Sequence, residues 1–223
     1  VVQRLGGRYS TELGLDLRRG RDVERWFLAA TLFGTRIATE VAMRTWRTLG
    51  AAGVGTIGDA ATRTWDELVA LLDAGGYTRY DFRTATRLQT LAGVVAERFG
   101  GRVAGLGRRI ADPVELERTL DALPGWGPVT VRVFLRELRG IWPGARPPLD
   151  PRAAWAARHL GLTRAARPAF ADLDRLARQA GVDPRDAEAG LIRAALAHRR
   201  ARACPGGAAC VVLEGADPVR PAR

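Results

Sequence analysis

At 223 residues and 24.1 kDa, the chain is long enough for one domain or two small lobes around a sizeable core. No stretch approaches the ~20 uninterrupted apolar residues of a spanning helix, and the charged first twenty residues lack the apolar run of a secretory signal, so a cytoplasmic protein (nucleoid-associated if bacterial) is expected. A net charge of +11 and a pI of about 11.2 favour a polyanionic partner, nucleic acid ahead of a membrane surface. The same abundance of Ala, Gly and Arg would also follow from a GC-rich genome. All 35 basic residues are arginine, so no side-chain amine exists to form a Schiff base.

Along the chain, helical signals recur and strand signals are nearly absent. Val23, Trp26, Phe27 and Ala30 keep i, i+3, i+4, i+7 spacing and predict a helix from about Asp22. A second is expected from about Arg36 to Leu49, with Ala38, Val41, Ala42, Thr45 and Leu49 inward, broken by the glycine-rich stretch from Gly50 to Gly58. Thr64 and Glu67 form a capping box ahead of Trp65, Leu68 and Leu72. A long helix is predicted from Asp81 to Phe99, stopped by Gly100-Gly101. Asp112-Pro113 with Glu115 starts the next, and Val131, Phe134, Leu135 and Leu138 mark the one after it. Three further helices are expected at about 150–160, 168–179 and 184–203, followed by a loose Gly/Pro-rich tail from Cys204. Trp46, Trp65 and Trp155 read as core. The fold class is all-α, in two helical lobes: 22–144, and 1–21 joined with 145–223.

The most specific local signal is the segment Leu123-Pro124-Gly125-Trp126-Gly127-Pro128-Val129-Thr130 between two amphipathic helices. Its glycines permit a tight turn whose N–H groups, with those of the following helix, form a cradle for a phosphate oxygen. Gly125, Gly127 and Val129 are the candidate donors, because Pro128 has no N–H. On the turn alone, a plain αα-hairpin fits equally well. Downstream, the Gly/Pro-rich loop from Trp142 to Pro148 leads to Leu149-Asp150-Pro151-Arg152. Asp150 followed by Pro is also an ordinary N-cap pair, repeated at Asp112-Pro113 and Asp183-Pro184.

Hairpin and aspartate together resemble the helix-hairpin-helix DNA glycosylases of the HhH-GPD superfamily, and are similar in particular to its endonuclease III-like branch. The segment Leu28 to Arg36 looks like that family's first barrel helix and following turn, so the resemblance spans most of the chain. It implies a DNA-binding cleft between two helical lobes, double-stranded DNA with a damaged or mispaired base as partner, and excision of that base. Asp150 matches the catalytic aspartate. Arg36, Tyr77 and Tyr80 match positions that fill the hole left by a flipped nucleotide or wedge beside it, although a phosphate or solvent contact for Arg36 and core packing for Tyr77 fit equally. A non-catalytic protein of the same fold, binding abasic or distorted DNA, is the alternative.

The departures are informative. Lyase members carry a lysine where this chain has Val129, so the resemblance implies a monofunctional glycosylase. Cys204 and Cys210 supply half of the four-cysteine set that holds an iron–sulfur cluster in many relatives, so no cluster is expected, nor any other bound metal beyond a monovalent cation at the hairpin. His159 and His198, far apart in sequence, read as isolated side chains. A monomer is expected.

Overall fold

The computed structural model describes residues 1–198 and 204–214. Among these residues the protein is all-helical, with no strand. It divides into two compact units, one formed by residues 13–146 and the other by residues 1–12 with the chain from Pro147 onward.

The larger unit contains α3 (Gly20–Phe33), α4 (Thr39–Ala51), α5 (Ile57–Ala60), α6 (Trp65–Ala74), α7 (Asp81–Phe99), α8 (Leu106–Arg109), α9 (Pro113–Asp121) and α10 (Pro128–Glu137). Local chemistry sets several of its boundaries. The Thr64 hydroxyl accepts from the Glu67 N–H while the Glu67 carboxylate accepts from the Thr64 N–H, and Thr56 with Asp59 repeats this box at α5. Asp112 caps α9, and Gly100, at φ 63°, ends α7 in the left-handed region. α3 is the central helix: Trp26, Phe27, Leu28, Ala29, Ala30 and Leu32 are fully buried. Leu13, Leu15 and Leu17 are buried too, and residues 13–21 belong to this unit rather than to the other, where the sequence reading placed them. The second helix starts at Thr39 rather than Arg36, and Ala38, expected inside, lies exposed just before it.

The smaller unit comprises α1 (Val2–Leu5), α2 (Tyr9–Glu12), α11 (Pro151–His159), α12 (Phe170–Gln179), α13 (Pro184–His198) and α14 (Val211–Glu214), with a 3-10 turn at Gly207–Ala209. Its core is small in volume: Ala153, Ala156, Ala157 and Ala194 pack with Leu149, Leu160, Leu173, Leu191, Ile192 and Cys210. Ion pairs fasten the first twelve residues to it. Arg8 bonds Asp186 at 2.7 Å, and Arg193 reaches Glu12 at 2.7 Å while its guanidinium lies 4.2 Å from the centre of the Tyr9 ring. The tail does not begin at Cys204 as a loose segment, because residues 204–214 form the 3-10 turn and α14, and Cys210 is fully buried.

Candidate functional site

α9 and α10 are joined by a turn in which Gly125 adopts φ 74°, a conformation that a side chain strains. A Cβ there would also lie 2.2 Å from the Arg87 Cδ, so the arginine side chain would have to shift. Gly127 is extended and precedes Pro128 at the first helical position. Val129 and Thr130 occupy the first turn of α10, where N–H groups have no partner within the helix. Gly125 and Val129 are exposed and Gly127 partly so. A turn followed by a helix N-terminus is a setting in which backbone N–H groups can meet an anion.

Trp126 holds the turn from below. It is buried, stacks on Phe27 with centroids 4.4 Å apart, and donates its indole N–H to the Thr31 hydroxyl at 3.1 Å. Gly34, at the end of α3, lets that helix approach α10 so closely that a Cβ would sit 1.9 Å from the Thr130 Oγ1. The hairpin is therefore anchored to α3 through Trp126 and Thr130.

The other candidates in this unit divide. Arg36 is exposed in the segment between α3 and α4. Tyr80 is half-buried, with the Arg79 guanidinium 5.7 Å from its ring centre. Tyr77 has no exposed surface and donates its hydroxyl to the Leu32 carbonyl at 2.6 Å. Burial pushes its phenol up to about 12. A ring enclosed in this way offers no face to a base, so Tyr77 is a packing residue. Trp65 and Trp155, expected in the core, are surface residues at 37% and 46% exposure. Trp65 lies against Phe82 instead, with centroids 5.5 Å apart.

In the smaller unit Asp150 is the N-cap of α11, its Oδ1 accepting from the Arg152 N–H at 2.8 Å. Its own backbone N–H donates to the Glu188 Oε1 on α13 at 3.0 Å. Both residues are buried, Asp150 at 7% exposure and Glu188 at 0%. Glu188 escaped the sequence reading, since nothing local links a residue on α13 to the start of α11. Among the described residues, the two other Asp-Pro caps differ from it. Asp112 is exposed. Asp183 bonds Arg185 at 2.7 Å and lies 3.4 Å from Arg8; partial burial opposes ionisation, but these arginines carry its carboxyl down to about 2.

A second constellation lies at the other end of α11. His159, the last residue of that helix, places its Nε2 2.9 Å from the Nε2 of His198 and 3.3 Å from the Cys204 Sγ. The Cys210 Sγ lies 3.3 Å from the His198 Nε2, and the four ligand atoms all fall within 4.8 Å of one another. The two histidines read as isolated are thus neighbours, and with the two cysteines they make a candidate metal-binding set. Trp155, one helical turn before His159, stacks on its ring at a centroid distance of 4.8 Å and an 8° angle. Burial, reinforced by the His159 charge, pushes His198 below the usual imidazole range. It pushes the Cys210 thiol up. The spacing His198-x5-Cys204-x5-Cys210 was a signal available in the sequence, but its completion by His159 depends on how α11 meets α13. Residues 199–203, the expected end of the helix at 184–203, lie outside the described residues.

No helix among the described residues is long and apolar enough to cross a membrane. No model of a known protein family matches the chain, and no curated protein matches its sequence.

Proposed function

We propose that this protein is a monofunctional DNA glycosylase of helix-hairpin-helix type. It would extrude a damaged or mispaired base from double-stranded DNA and hydrolyse its N-glycosidic bond. The observation that carries the reading is the buried Asp150 carboxylate at the head of α11, fixed by its cap and by the grip of Glu188 on its backbone, in a chain whose hairpin turn exposes Gly125 and Val129. The family resemblance of the two motifs connects them.

The chemistry follows from charge. As the base departs, positive charge develops on the sugar, and a carboxylate fixed near C1′ stabilises it without reorganising. The same carboxylate orients or deprotonates the water that completes hydrolysis. The hairpin would hold a phosphate through the Gly125, Gly127 and Val129 N–H groups, with or without a bridging monovalent cation, and independently of base sequence. Arg36, which is exposed, and Tyr80, which is half-buried, would meet the duplex around the extruded nucleotide. With no lysine in the chain, hydrolysis leaves an intact abasic site.

One observation favours a second reading, a non-catalytic binder of abasic DNA: capping alone accounts for an aspartate at position 150, as it does at Asp112 and Asp183. Single-turnover incubation with end-labelled duplexes carrying alkylated, deaminated, mispaired or oxidised bases separates the two. The glycosylase gives strand breaks that appear only after hot alkali, for at least one base. Tight binding to abasic duplex without release of any base moves the assignment to the binder. Binding in either case weakens steeply with salt as counterions are released.

A further inference from the structure

We propose that His159, His198, Cys204 and Cys210 form a structural zinc site that clamps the tail of the chain onto the end of α11. The donor chemistry favours zinc: two imidazole nitrogens and two sulfurs make an S2N2 set, which suits tetrahedral Zn²⁺. The size of the cluster agrees. With Zn–N near 2.0 Å and Zn–S near 2.3 Å, a tetrahedron has N···N edges of about 3.3 Å and N···S edges of about 3.5 Å. The observed N···N separation is 2.9 Å and two N···S separations are 3.3 Å, with every pair inside 4.8 Å. A two-iron cluster would carry the histidines on one iron and the cysteines on the other, too far apart for these N···S contacts. The cluster therefore has room for one ion.

The surroundings are those of a built site. Trp155 stacks in parallel on His159 and meets His198 edge-on at 5.3 Å, fixing both rings. Gly206, between the two cysteines at φ 77°, approaches so closely that a Cβ would lie 2.6 Å from the His159 carbonyl oxygen. Cys210 is fully buried in the alanine-rich core, and neither cysteine is in a disulfide. Four ligands from α11, α13 and the tail fill a tetrahedron and leave no position for water, which makes the site structural. On binding, two thiols each lose a proton to solvent and two Zn–S bonds form, with no change of oxidation state. The site is independent of the DNA chemistry proposed above.

The test is metal analysis of the purified full-length protein by inductively coupled plasma mass spectrometry. About one zinc per chain is expected, falling at least tenfold in the Cys204→Ser/Cys210→Ser double variant. Should that variant fail to fold, wild-type protein stripped of metal and titrated with Co²⁺ supplies the readout. Tetrahedral cobalt gives visible d–d bands and a near-ultraviolet thiolate charge-transfer band, saturating at one equivalent. Folded wild-type protein that carries no zinc and gives no tetrahedral cobalt spectrum overturns the proposal. So does zinc retained in the double variant, or stoichiometric iron with brown absorption.

Discussion

The two units close their helical cores with different material. Residues 13–146 pack around large rings, with Trp26, Phe27, Tyr77, Trp126, Phe134 and Trp142 all buried. The smaller unit buries Tyr9 but leaves Trp155 46% exposed, and its helices meet through alanines. Aromatic side chains bury ~150–250 Å² each and dominate core energetics, so an alanine-rich core of this size needs other fastening. Ion pairs from Arg8 and Arg193 supply part of it, and the His/Cys cluster is placed to supply more. The unit with the weaker apolar core is also the one that carries Asp150.

The largest effect is expected from metal removal. If zinc fastens the smaller unit, prolonged chelation costs it on the order of 5 kcal/mol or more. Hydrogen exchange should then accelerate on α11 and α13 and stay slow on α3 and α10; uniform behaviour of both units would erase the distinction. Next, Trp126→Ala in the aromatic core should cost about 3–5 kcal/mol, whereas Trp155→Ala, half exposed, should cost under about 1 kcal/mol in metal-free protein. Denaturant melts of the two variants measure this, and equal losses would break the contrast.

Smaller effects sharpen it further. Gly125→Ala forces a side chain into a left-handed turn and against Arg87, and should cost about 1–2 kcal/mol. If the turn is a phosphate cradle, the same variant also weakens binding to undamaged duplex. Asp183→Asn should cost about 1 kcal/mol at neutral pH, allowing for solvent screening. The sign is set by its carboxyl, held at about 2, below the ordinary value. Its contribution is complete above about pH 4 and is lost as the pH falls through 2. Wild type and variant should therefore differ in stability at pH 7 and converge near pH 2.

Elements with local chemistry were readable in the sequence. The Thr64–Glu67 box, the Asp112 cap and the α7 stop at Gly100 rest on residues within a few positions of one another. The Asp150 cap is equally local. What escaped depends on contacts across the chain. Tyr77 is buried because Leu32 accepts its hydroxyl from 45 positions away. Glu188 reaches Asp150 across 38 positions, and His159 meets Cys204 across 45. The tail reads as loose because its glycines and Pro205 carry no periodicity, yet Gly206 is there to fit beneath α11.

Asp150 and Asp183 share a local motif, Asp-Pro-Arg, and the same bond from the i+2 N–H. They differ in surroundings, and catalysis is proposed for the first alone. Asparagine caps a helix as well as aspartate does, so Asp150→Asn and Asp183→Asn should both fold. The decisive measurement is the single-turnover rate of base release by these two variants and wild type, on the duplex that wild type processes fastest. Asp150→Asn should lose roughly 10²–10³-fold, with Asp183→Asn close to wild type. A wild-type rate in Asp150→Asn, or an equal loss in both, would contradict the assignment of Asp150 as the catalytic carboxylate.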